Sequence, residues 1–135
     1  MLHQSSVASN MLNPKYLYVD TCTIDDQMVN PTFLSKIHKV FKALRLHTNA
    51  GAASTNKKGY LGNTLFWLNQ MGIANVVSLK TLEAKFRVTY DSLENGGAFV
   101  LHTPEGKILV KRCPKTSFPF INLTDELGGA AIVLV

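Results

Sequence analysis

The sequence predicts an all-β domain, a small β-barrel or sandwich that carries one or two short helices. Stretches rich in β-branched and aromatic residues alternate with turn residues about every eight to twelve positions. Hydrophobic residues make up 46% of the 135 residues and charged residues 17%, which is enough apolar content for one core. We expect a flexible tail at 1–14, the barrel at 15–125 and the start of a truncated downstream segment at 126–135.

The first strand is predicted at Tyr16–Val19, an apolar and aromatic run that ends at Asp20. Apolar residues between Phe33 and Phe41 then follow a helical spacing, which predicts a short helix with Thr32 as its N-cap.

The middle of the chain predicts short strands separated by turns. Leu46–Thr48 has strand composition, and Asn49–Ser54 is a run of small residues typical of a loop. Lys57-Lys58-Gly59 and Gly62-Asn63 predict turns, and Thr64–Leu68 is again apolar and aromatic.

The last third predicts a buried strand, a helix and a β-meander. The strand is expected at Ile73–Leu79, and Ser78 is a suitable N-cap for a helix over Lys80–Phe86. Turn residues then separate the strands of the meander, expected at Arg87–Tyr90, Ala98–His102 and Lys107–Lys111, and one more strand is expected at Phe118–Leu123.

Composition and motifs exclude several classes of function. The longest apolar stretch, Ala130–Val135, is too short to span a bilayer, and Met1–Asn10 has no signal-peptide pattern. Two cysteines without CxxC spacing exclude a disulfide framework and a structural zinc site, so we expect no metal or cofactor and a reduced, intracellular setting. Neither a GxSxG elbow nor a P-loop is present.

Asp20 is the strongest candidate for chemistry. A carboxylate at the end of an apolar strand is partly desolvated, although an Asx-turn onto the amides of Cys22 and Thr23 is the commoner structure. Aspartic proteolysis needs two carboxylates that share one proton. Asp91 is the nearest second candidate, but it leads into a turn, so a second copy of Asp20 in a homodimer would have to complete the pair.

The other polar residues favour simpler roles. His3, His38, His47 and His102 are scattered, and Cys22 has no neighbour that would activate it as a nucleophile beside His47. The net charge of +5 permits nucleic-acid binding. However, no aromatic residues separate the basic ones at Lys57-Lys58, and Trp67 is expected in the core.

Six stretches carry a family resemblance. They are Leu17–Cys22 (LYVDTC), His47–Gly62 (HTNAGAASTNKKGYLG), Gly72–Leu79 (GIANVVSL), Lys85–Ser92 (KFRVTYDS), Phe99–Pro104 (FVLHTP) and Phe118–Leu123 (FPFINL). In this order and spacing they resemble the protease region of the Pol polyprotein of copia-type LTR retrotransposons. The resemblance covers roughly residues 15–125.

The resemblance implies a small retropepsin-like β-barrel that acts as an aspartic endopeptidase. Asp20 then corresponds to the catalytic aspartate, and Thr21 to the hydroxyl residue that steadies the paired loops of the dimer. Asn49, Ala50 and Gly51 correspond to the flap over the substrate.

The same resemblance implies partners and location. The partners are a second copy of the chain and a polypeptide substrate, the Gag-Pol polyprotein of the element. From composition and motifs we expect no cofactor, no membrane contact and no nucleic-acid partner for this domain alone, with nucleic-acid binding kept as a third, weaker hypothesis on the net charge of +5. The expected location is the cytoplasm, or a virus-like particle if the element is active.

Two positions depart from the family pattern. Cys22 stands where retropepsins have the glycine that lets two catalytic loops approach closely, and Asn75–Ser78 lacks the glycine expected before the helix. These departures leave a second hypothesis open, a catalytically silent β-barrel module or remnant of a transposon polyprotein.

Overall fold

The computed structural model describes residues 12–21, 25–48 and 51–124. Strands make up 53% of these residues and one α-helix is present, which confirms the all-β class. The described strands form a seven-stranded sheet and a three-stranded sheet, and no closed barrel is found among them.

The elements of the described chain are short apart from one long hairpin. The α-helix, α1, spans Leu79–Lys85, and a single 3-10 turn spans Pro31–Phe33. The strands are β1 (Tyr16–Asp20), β2 (Gln27–Met28), β3 (Ser35–Thr48), β4 (Gly51–Leu61), β5 (Thr64–Leu68), β6 (Asn75–Ser78), β7 (Arg87–Tyr90), β8 (Phe99–Thr103), β9 (Gly106–Val110) and β10 (Phe120–Asn122).

The larger sheet has the strand order β10-β1-β6-β2-β5-β4-β3. Strand β1 lies inside it, antiparallel to β10 and parallel to β6. Leu17 and Val19 of β1 are buried in the main core, whereas Tyr18 between them packs in a second, smaller cluster. This alternation is that of a strand covered on both faces.

The predicted cap at Ser78 and the helix that follows it are confirmed. The Ser78 hydroxyl accepts a hydrogen bond from the Thr81 N–H at 3.1 Å, which satisfies one of the free amides of the first turn. Leu82 is buried in the main core and Lys85 lies in the last turn, where its charge suits the helix dipole.

The helix predicted between Phe33 and Phe41 is wrong, because most of this segment belongs to β3. Asn30, not Thr32, caps the single 3-10 turn, and Leu34 already has extended backbone angles. Ile37 and Phe41 are exposed, so these apolar side chains do not pack into a core as one face of a helix would. The backbone pairs with β4 instead.

The turn predicted at Lys57-Lys58-Gly59 is also wrong, because these residues lie inside β4. Gly59 is needed for close packing: a Cβ atom there would lie 3.0 Å from the Leu34 Cβ. The turn predicted at Gly62-Asn63 is confirmed, with Gly62 at a φ of 61°, a conformation that hairpin turns give to glycine.

The β-meander predicted after α1 is confirmed as the three-stranded sheet β7-β8-β9. Buried side chains of this sheet, Leu101 and Val110, join the main core with those of the larger sheet. No helix in the described part of the chain is long and apolar enough to cross a bilayer.

Candidate active site

Strand β1 places Asp20 at its carboxyl end, directly after three buried residues, Leu17, Tyr18 and Val19. Asp20 itself is half-buried. Its backbone lies opposite Ser78 in the parallel register of β1 and β6. Because Ser78 also caps α1, the Asp20 end of β1 lies beside the beginning of that helix.

Of the other predicted site residues, the structure describes two. Thr21 follows Asp20 and is exposed. Gly51 is the first residue of β4 and pairs with Thr48, which puts it at the end of the β3–β4 hairpin. Asn49 and Ala50, the other predicted flap residues, lie outside the described residues, as does Cys22.

Asp26 is a second carboxylate near the Asp20 strand end. Its Oδ1 accepts a hydrogen bond from the Ser78 N–H at 2.7 Å, and its Oδ2 accepts one from the Thr81 hydroxyl at 2.7 Å. Ser78 is the register partner of Asp20. Asp26 therefore ties the segment after β1 to the residues that begin α1.

Burial raises the pKa of the Asp26 carboxyl above its ordinary value, and the nearby Asp25 acts in the same direction. The hydrogen bonds from Ser78 and Thr81 oppose this shift because they stabilise the charged form. With both oxygens accepting hydrogen bonds from protein groups, Asp26 is suited to hold the site together rather than to activate water.

Asn75 fixes the other end of the same region. Its side-chain oxygen accepts hydrogen bonds from the N–H groups of Val29 and Asn30, and its Nδ2 donates to the carbonyls of Pro14 and Tyr16 at 2.9 Å each. The start of β1 and the residues after β2 are thereby joined to β6. Asn75 thus binds the chain before and after the segment that contains Asp20. Asp26, within that segment, binds the start of α1.

Sequence reasoning missed Asp26 and Asn75 as parts of this region. Asp26 contacts Ser78 and Thr81 across 52 and 55 residues, and such contacts leave no local pattern. The one available signal was the presence of two adjacent carboxylates, Asp25 and Asp26, shortly after a strand-end aspartate.

The remaining candidates lie apart from Asp20. Asp91 is exposed and accepts a hydrogen bond from the Leu93 N–H at 2.9 Å, in agreement with the predicted turn. His38 is in β3 and His102 in β8, on different sheets. Trp67 is half-buried rather than fully in the core, with the Lys58 ammonium 4.3 Å from its ring centroid.

Within residues 12–21, 25–48 and 51–124, no three His, Cys, Asp or Glu side chains are grouped so that they could hold a metal ion. Comparisons of the chain with protein-family models, curated proteins and solved structures find no match.

Proposed function

We propose that the chain is a retropepsin-like aspartic endopeptidase domain that acts as a homodimer. The observation that supports this best is the position of Asp20, a half-buried carboxylate at the end of a buried strand and beside the beginning of α1. Asp26 braces this position through Ser78 and Thr81.

The proposed mechanism uses one Asp20 from each copy. Two carboxylates held close together share one proton, because both cannot be ionised at short range. The ionised carboxylate removes a proton from water, which attacks the carbonyl carbon of the peptide. The protonated carboxyl donates its proton to the carbonyl oxygen. Thr21 is proposed to steady the two loops through its hydroxyl.

The proposed substrate is an extended polypeptide, the Gag-Pol polyprotein of a retrotransposon. The proposed flap over this substrate is the β3–β4 hairpin, with Gly51 at its end. An extended peptide offers unpaired backbone groups to a strand edge, which is a common way for proteins to bind peptides.

Two observations favour a catalytically silent module instead. The described sheets are open rather than closed into a barrel, and Cys22 replaces the glycine of the family pattern. In this second proposal the chain is a folded unit of a transposon polyprotein without peptidase activity.

Cleavage of an unstructured casein separates the two proposals. Purified protein is incubated with the casein at acidic and at neutral pH, and products are identified by mass spectrometry. The Asp20→Asn variant is the inactive candidate. Asp91→Asn is the matched control, because it makes the same change at an exposed turn carboxylate.

We expect cleavage by the wild-type chain and by Asp91→Asn, and none by Asp20→Asn. Cleavage that survives Asp20→Asn would overturn the aspartic mechanism. If the folded dimer, verified by sedimentation, cleaves nothing at either pH, the silent module replaces the endopeptidase.

A further inference from the structure

The β3–β4 hairpin carries the positive charge of the chain. Outside Ser35–Leu61, the chain has eight basic and nine acidic side chains, a net charge of −1, whereas the whole chain has a net charge of +5. No acidic residue occurs between Ser35 and Leu61. This segment contains six basic residues, Lys36, Lys39, Lys42, Arg45, Lys57 and Lys58.

The hairpin presents these charges to solvent along a ribbon. Lys39 lies opposite Lys57 in the β3–β4 register, and both side chains are exposed, as are Lys42 and Arg45. Strand β4 pairs with β5 only at Lys58–Leu61. From Lys57 towards the hairpin end, the described ribbon consists of β3 and β4 alone.

Aromatic rings lie beside the basic side chains at the base of the ribbon. The Lys58 ammonium lies 4.3 Å from the centroid of the Trp67 ring, which β5 supplies. The rings of His38 and Tyr60 are stacked with centroids 6.3 Å apart. Because residues two apart on a strand share a face, Lys58 and Tyr60 lie on the same side of the sheet. All three strands thus contribute to one basic and aromatic face.

We propose that this ribbon, defined by Lys39, Lys42, Arg45, Lys57 and Lys58 with Tyr60 and Trp67 at its base, binds single-stranded nucleic acid. The Lys and Arg side chains neutralise phosphates, and the two aromatic rings stack with bases. The Lys58 stem is flexible, so its ammonium can leave the Trp67 ring for a phosphate when a base stacks there.

Two other occupants, a second copy of the chain and a membrane, fit the ribbon less well. A second copy that paired along the free edge of β3 would bring two ribbons of like charge together, which is unfavourable. A flat anionic membrane would contact one face only. Lys57 and Lys58 are adjacent on β4 and therefore point to opposite faces, which suits a flexible polyanion that can wrap around the ribbon.

The sequence favoured no nucleic-acid partner because no aromatic residue lies between the neighbouring basic residues. The sheet supplies Trp67 from the next strand, in register with Lys58. The proposal uses neither Asp20 nor Asp26, but it uses the same β3–β4 hairpin that the proposed function places over the peptide substrate.

Fluorescence anisotropy with a labelled single-stranded oligonucleotide, titrated at several salt concentrations, tests the proposal. The ribbon variant changes Lys39, Lys42, Arg45 and Lys57 to Gln. The matched control changes Lys80, Lys85, Lys107 and Lys111 to Gln, which removes an equal charge at exposed positions elsewhere. Circular dichroism verifies that both variants are folded.

We expect the ribbon variant to bind at least tenfold more weakly than wild type. Its salt slope should fall by about 3, because each phosphate of a single strand that is neutralised by the protein contributes ~0.7 to the slope and four basic side chains are removed. The matched control should bind more tightly than the ribbon variant. Equal weakening in both variants, or no binding by wild type at low salt, would overturn the proposal.

Trp67 is the chain's single tryptophan and reports on the base of the ribbon directly. The oligonucleotide should quench its emission with the same midpoint as the anisotropy, and an abasic strand of equal length should bind at least ~30-fold more weakly, because two stacked bases are lost. Unchanged Trp67 emission on binding, equal affinity for the abasic strand, or comparable affinity for phosphatidylserine vesicles would overturn it.

Discussion

At the scale of the residue, Asp26 shows how one buried carboxylate joins distant parts of the chain. Its two oxygens receive hydrogen bonds from the backbone of Ser78 and from the hydroxyl of Thr81. Its burial also has an energetic cost, because the charged form is partly removed from water. The same contact therefore organises the region around Asp20 and makes it sensitive to pH.

The contribution of Asp26 to the free energy of unfolding is expected to fall as pH rises. Its pKa in the folded state lies above the ordinary value of 3.8, so between these two values the folded chain holds more protons than the unfolded chain. The free energy of unfolding contributed by this group then falls as pH increases through that window. Urea unfolding of wild type and Asp26→Asn across this pH range measures the difference.

In the Asp26→Asn variant this part of the pH dependence should disappear. Thr81→Val is the companion variant: it removes a hydrogen bond that lowers the Asp26 pKa, so the decline in stability should extend to higher pH. An Asp26→Asn variant with the same pH slope as wild type would contradict the assignment.

At the scale of the element, the long β3–β4 hairpin depends on close packing at its base. The backbone of Gly59 lies against Leu34 and Ile37, and a Cβ atom at this position would lie 3.0 Å from the Leu34 Cβ and 3.1 Å from the Ile37 Cγ1. Leu34 is part of the main core. The hairpin is thus joined to the core at a point where a side chain on residue 59 would crowd Leu34 and Ile37.

Gly59→Ala is expected to destabilise the protein by about 1–3 kcal/mol, the usual range for overpacking. Ser54→Ala, at an exposed position of the same strand, should change stability by less than about 0.5 kcal/mol. Chemical denaturation of the two variants provides the comparison. A Gly59→Ala variant as stable as Ser54→Ala would show that Leu34 moves aside at little cost.

The elements that the sequence predicted well carry local signals. Ser78 has a side chain that caps a helix, and the turn at Gly62-Asn63 has a glycine where φ is positive. The segment after Phe33 failed because its apolar spacing fits a helix, whereas the pairing that makes it a strand comes from β4, about twenty residues later. Pairing between distant segments has no signature in a short window.

At the scale of the whole molecule, the sequence predicted the all-β class and the strand that ends at Asp20. It predicted neither the division into two sheets nor the contacts of Asp26, Asn75 and Trp67, because each of these depends on which strands become neighbours. The proposed peptidase is also incomplete as a single chain, since one Asp20 supplies one carboxylate.

The homodimer of the proposed endopeptidase makes activity depend on protein concentration. Because the two Asp20 residues come from two copies, specific activity should rise with concentration and reach a plateau once the dimer is saturated. Casein cleavage measured over a dilution series, beside sedimentation of the same samples, tests this. Constant specific activity from a monomer would exclude a dyad shared between chains.

The position of β1 inside the larger sheet has a consequence for folding kinetics. Its partners are β6 and β10, and Tyr16 pairs with Asn122, 106 residues further along the chain. The entropy lost on closing such long loops is not offset until the distant contacts form. Chains rich in distant pairings therefore fold slowly, typically in about milliseconds to seconds. During synthesis β1 can pair with β6 before β10 is made, and its other edge is completed only once Phe120–Asn122 has emerged.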